Sequence, residues 1–150
     1  MTSTNNELKL QITRRFAVAP DIVFDALTNP AAMKIWWGDD AIIEIDLRVG
    51  GRWQITRYED GVEYIAVGEY LVVERPFRLV YTFGMPQFSP NSDTIAFEIT
   101  ADASSCVVTF QQSGEDTVKE LSELAPGTVS QSEAGWRQGF DLMAAAWEKN

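Results

Sequence analysis

The sequence predicts an α+β fold: a curved, seven-stranded antiparallel sheet with two short helices, wrapped around a long C-terminal helix. Three observations carry that prediction. Seven stretches alternate apolar and polar residues with a period of two, one near the N-terminus and six in succession from Ile43 to Phe110. Short turns join the six, which makes them an antiparallel meander. From Trp136, apolar residues recur at Phe140, Met143, Ala144 and Trp147, the spacing of one helix face. A sheet needs one face covered, and this helix is the available cover.

In chain order, Leu8, Leu10, Ile12, Phe16 and Val18 read as the first strand, with Arg14 breaking the pattern on the apolar parity. Pro20 suits the first turn of a short helix after Ala19, which buries Val23, Phe24 and Leu27. Thr28-Asn29-Pro30 ends it and caps a second short helix through Met33, Ile35 and Trp36, closed by Gly38. Ile43, Ile45 and Leu47 alternate up to the Gly50-Gly51 turn. Trp53 and Ile55 lead to the hairpin signal Asp60-Gly61. Ile65, Val67, Leu71 and Val73 read as one face of a long strand, with Glu69 on the same parity. After Arg75-Pro76, Phe77, Leu79, Tyr81 and Phe83 alternate. A loop rich in Gly, Pro, Ser and Asn runs from Gly84 to Ser92. Ile95, Phe97 and Ile99 form the next strand, and Cys106, Val108 and Phe110 the last. Asp116 to Leu124 reads as a short helix capped by Asp116, followed by Pro126-Gly127. Ser130 with Glu133 is a capping box, so the terminal helix runs from about Gln131 to Lys149. The whole of residues 1–150 is expected to form one domain, without repeat or linker.

Composition narrows the function classes. The 12 Lys and Arg against 22 Asp and Glu leave a net charge of −10. That balance disfavours nucleic acid and anionic membrane surfaces as partners. No apolar run is long enough to span a bilayer and no signal peptide is visible, so a soluble cytoplasmic protein is expected. There is no histidine and one cysteine, Cys106. Imidazole-based triads, imidazole zinc sites and thiolate metal sites are therefore excluded, and neither a metal nor a cofactor is expected. Cys106 reads as a small buried hydrophobe.

Several motifs resemble one family together. They are Ile12 to Phe16 (ITRRF), Asp25 to Pro30 (DALTNP), Ile35 to Gly38 (IWWG) and Asp46 to Trp53 (DLRVGGRW). Gly68 to Leu71 (GEYL), Glu74 to Thr82 (ERPFRLVYT) and the pair Gly135-Trp136 complete the set. The chain is similar in these places to the activator of heat-shock protein 90 ATPase homology family, within the START-like, helix-grip superfamily. The resemblance spans Leu8 to Trp147. It implies a curved antiparallel sheet gripping a C-terminal helix with a cavity between them. Many members carry a histidine where this chain has Gln112, and another where it has Ser132, so any role that needs imidazole there is absent.

The candidate ligand-binding residues are Arg14, Trp36, Trp37, Trp53, Glu69, Tyr81, Phe97, Trp136, Phe140 and Met143. Trp36 and Trp37 are either an aromatic gate for an apolar ligand or core with partly exposed packing. The Trp136, Phe140, Met143, Trp147 stripe is either a cavity wall or plain core. Arg14 and Glu69 are either polar anchors inside a pocket or structural charges that are paired or turned outward by a bulge. The acidic run Glu115, Asp116, Glu120 and Glu123 reads as a solvated face. No motif marks a catalytic residue.

The expected function is binding of a small apolar or amphipathic molecule in an apolar pocket of roughly 300–1,000 Å³ between sheet and helix. Trp36, Trp53, Tyr81, Phe97, Trp136, Phe140 and Met143 are expected among its walls. The alternatives are a protein-interaction module acting on a chaperone ATPase, and a cyclase- or hydratase-like enzyme using a pocket carboxylate or tyrosine. Either a monomer or a homodimer is consistent with the sequence.

Overall fold

The computed structural model describes residues 8–148. In order, the elements are β1 (Leu10–Phe16), α1 (Pro20–Thr28), α2 (Pro30–Trp37), β2 (Ile42–Ile45), β3 (Arg52–Glu59) and β4 (Val62–Glu74). They continue with β5 (Arg78–Phe83), β6 (Asp93–Asp102), β7 (Ser105–Ser113), α3 (Glu115–Ser122) and α4 (Gln131–Trp147). The seven strands form one antiparallel sheet ordered β1-β7-β6-β5-β4-β3-β2. Strands β2 to β7 are the expected meander. β1 joins its far edge on β7, with Ile12 opposite Phe110. The α1–α2 segment carries the chain from that edge back to β2.

The turns follow from local chemistry. Asn29 caps α2 by accepting the Ala31 N–H at 3.0 Å, and Pro30 sits at the first helical position, where its missing N–H costs nothing. The β3–β4 hairpin needs positive φ at both central residues, and Asp60 and Gly61 adopt 52° and 79°. Ser130 caps α4 by accepting the Glu133 N–H at 3.0 Å.

Sequence and structure part in three places. Leu8 and Val18 lie outside β1, and Leu47 and Phe77 lie outside β2 and β5; Leu8, Leu47 and Phe77 are exposed. Gly114, not Asp116, occupies the N-cap of α3, and Asp116 sits in its first turn. The expected last residue of α4, Lys149, falls outside the described residues. The third difference is the parity of β4. Ala66, Gly68 and Tyr70 point inward there, paired with Ile55, Trp53 and Tyr81. A register shift between Tyr70 and Val72 then restores the inward parity at Val73, which pairs with buried Leu79. Ile65, Val67 and Glu69 therefore belong to the outer face.

The core between sheet and helix is aromatic and closed. Trp53 meets Tyr81 at 5.4 Å between ring centroids, Phe97 meets Phe110 at 5.4 Å, and Phe110 meets Trp136 at 4.5 Å. Phe140 is 5.9 Å from Phe110, and Trp147 is 5.2 Å from Phe16 at the far end of α4. Cys106 is fully buried in this core, and burial pushes its thiol pKa up.

Candidate functional site

Packing leaves an open, lined space where α4 begins. There α2, α4, β3 and the start of the β5–β6 loop enclose an open groove of about 670 Å³. Its aromatic walls are Trp36 and Trp37 from α2 and Trp136 from α4, with Phe83 and Met85 below. Its rim is polar: Lys34 and Arg57 face Asp39 and Glu59, so the lining is balanced although the whole chain is strongly acidic. Arg57 and Glu59 make an exposed pair at 3.2 Å, which adds little stability.

Two glycines on α4 decide how wide this groove is. At Gly135 an added Cβ would meet nothing within 4 Å, so the helix opens directly onto the groove. At Gly139 it would lie 3.0 Å from Cε3 of Trp36, so that volume is already filled. Trp36 is held in place because its Nε1 donates to the Ala26 carbonyl at 2.7 Å. Gly139→Leu is therefore expected to lose about 1–3 kcal/mol through overpacking. Thermal unfolding of both proteins measures it. An unchanged midpoint would mean that Trp36 is free to swing aside.

A buried polar chain fixes the Trp136 wall. Trp136 Nε1 donates to Gln112 Oε1 at 2.9 Å, and Gln112 Nε2 donates to Asp93 Oδ2 at 3.0 Å. The Thr117 hydroxyl donates to the same Asp93 oxygen at 2.8 Å. The second oxygen, Oδ1, has no hydrogen-bond partner and lies against Gly114, where a Cβ would approach it to 2.1 Å. Glycine at 114 is thus required by close approach. The network links α4, β7, β6 and α3. Gln112 and Ser132, where the resemblance places histidines, both line the groove. Asp93 was not singled out from sequence, although it shares the inward parity of Ile95, Phe97 and Ile99. Arg57 and Met85 carried no sequence signal for the site.

Of the ten candidate residues, the groove brings together Trp36, Trp37 and Trp136. Phe97, Phe140 and Met143 are fully packed core and line no open space. Tyr81 borders only an interior void of about 10 Å³, shared with Trp37, Trp53 and Tyr70, and Trp53 also lines a separate open space of about 610 Å³ with Arg52 and Glu69. Burial raises the pKa of both Tyr70 and Tyr81, so their hydroxyls stay protonated and are donors rather than bases. Arg14 is not a pocket anchor: it is half-buried at the sheet edge and pairs with Asp141 of α4 at 2.7 Å. Glu69 does not reach the groove. It pairs across strands with Arg52 on the outer face, beside Thr82, because the inward parity of β4 falls on even residues there. Among the described residues, no cluster of acidic or thiol side chains could hold a metal ion, and no helix is long and apolar enough to cross a membrane.

Comparisons with known proteins agree with this architecture. A solution structure from Cytophaga hutchinsonii superposes with a TM-score of 0.75 at 20% identity, covering 95% of this chain and 94% of that one. Protein Ms6760 from Mycobacterium smegmatis superposes with a TM-score of 0.74 at 19% identity over 97% and 93%. An HSP90 activator from Plasmodium falciparum does so at 0.72 and 17% identity over 94% and 96%. At these identities the likeness is one of fold. A sequence comparison with curated proteins gives no match. The family described as "Activator of Hsp90 ATPase homolog 1-like protein" matches residues 17–148. The chain belongs to that family.

Proposed function

We propose that the protein binds a small amphipathic molecule in the groove between α2 and α4. The observation that carries this reading is the contrast between a closed interior, with a void of about 10 Å³, and a groove of about 670 Å³ walled by three indoles. That volume lies within the range of small-molecule sites. The aromatic floor suits an apolar body and the mixed rim suits a polar end.

Gly135→Leu tests the reading because Gly135 lines the groove and an added Cβ there meets nothing within 4 Å. The variant is expected to unfold no earlier than the parent, since Leu exceeds Gly in helix propensity by roughly 1 kcal/mol. It is also expected to lose most of the fluorescence of bound 1-anilinonaphthalene-8-sulfonate. Full dye binding by a stable variant would remove the groove as the site.

A second reading is docking of a protein partner. The fold shared with the HSP90 activator from Plasmodium falciparum favours it, as does Leu142, an exposed apolar residue on the groove wall. On that reading the parent binds no dye, and Hsp90 perturbs the groove residues directly.

A further inference from the structure

We infer that Trp37 is the gate of this groove, and that the ligand it admits joins an apolar body to a hydrogen-bond acceptor oxygen. The inference rests on the groove reading above. Three indoles wall the groove, and two of their N–H donors are satisfied: Trp36 by the Ala26 carbonyl and Trp136 by Gln112. The third, Trp37 Nε1, is buried without a partner. An indole N–H only donates, so only an acceptor relieves it. Buried orphan donors are rare in folded proteins and disfavour the conformation that holds them.

Position makes Trp37 a gate. It borders three spaces at once. One is the open groove, and one is a side recess of about 180 Å³ with Tyr64, Ala66 and Met85. The last is the interior void bounded by Trp53, Tyr70 and Tyr81. The void alone is barely the size of one water. Moving the Trp37 ring would join it to the groove. Trp37 is the last residue of α2, and Gly38 follows with φ of 106° and open space around it, so the ring sits beside a natural pivot. The closed ring leaves its N–H unpaired; an acceptor on an entering ligand would pair it and stabilise the open arrangement.

Two probes of one shape separate the outcomes: 2-acetylnaphthalene, which carries a carbonyl, and 2-ethylnaphthalene, which has a methylene in its place. Affinities are measured for the parent, Trp37→Phe, Trp37→Ala and Gly135→Leu, with thermal unfolding as the check on folding. The parent is expected to bind the ketone about tenfold more tightly. Trp37→Phe keeps a ring but no donor, and its preference is expected to fall to within about twofold. Trp37→Ala is expected to lose the preference as well and to take up 2-ethylnaphthalene faster than the parent. Equal affinities in the parent, or an intact preference in Trp37→Phe, would overturn the assignment. If the parent binds both probes equally and Gly135→Leu binds neither, the groove reading stands and the Trp37 inference alone falls. If the parent binds neither probe, both fall.

Discussion

Phe110→Ala is expected to lower the unfolding free energy by about 3–5 kcal/mol. Phe110 is fully buried at the centre of the aromatic core, within 4.5 Å of Trp136, 5.4 Å of Phe97 and 5.9 Å of Phe140 between centroids. It stands on β7 and touches the one helix that covers the sheet. Removing the ring loses its transfer free energy and leaves a cavity that its rigid aromatic neighbours fill poorly. Urea unfolding with the parent's slope measures the loss. A loss below about 1 kcal/mol would mean that α4 sits loosely on the sheet, with usable space beneath it.

Gln112→Leu is expected to cost about 2–4 kcal/mol, because the change orphans a buried indole N–H and takes one donor from a buried carboxylate. It is also expected to weaken ligand binding, since Trp136 is a groove wall that Gln112 holds in place. Gln112→Glu separates the two halves of the network. It keeps an acceptor for Trp136 but sets a second carboxylate beside Asp93, and the like charge disfavours ionisation of the introduced carboxyl in the folded state. The folded state then holds more protons than the unfolded state, so stability falls as pH rises. The deficit of Gln112→Glu against the parent should therefore shrink on acidification from about pH 7 to about pH 5, and by more than that of Gln112→Leu, which adds no titrating group. Parallel pH profiles for both variants would sink the network argument.

The architecture was legible because its signals are redundant. Period-two alternation, the Asp60-Gly61 hairpin, Asn29 and Ser130 as caps, and the Trp136 to Trp147 stripe all specify one arrangement, and the structure has each of them. Parity misled where one extra residue entered a strand. The shift after Tyr70 was silent in sequence, and it placed Glu69 on the wrong face in the sequence reading. The candidate site was half legible for a different reason. An aromatic stripe looks the same whether it lines a cavity or fills one. Only distances separate Trp136, at the groove, from Phe140 and Met143, which are sealed. Likewise, Gly135 and Gly139 both lack a side chain on the same helix. Trp36, more than 100 positions earlier in the chain, fills one and not the other.

The five tryptophans offer the most direct test of the central claim, that ligand enters between α2 and α4. Each indole N–H gives its own signal in a nitrogen-15 correlation spectrum. Titration with 2-acetylnaphthalene is expected to shift the indole signals of Trp36, Trp37 and Trp136, which wall the groove. Trp147, packed against Phe16 at the far end of α4, is expected to stay where it is. Silence from the three groove indoles, with movement at Trp147 or at the outer-face residues around Glu69, would contradict the account.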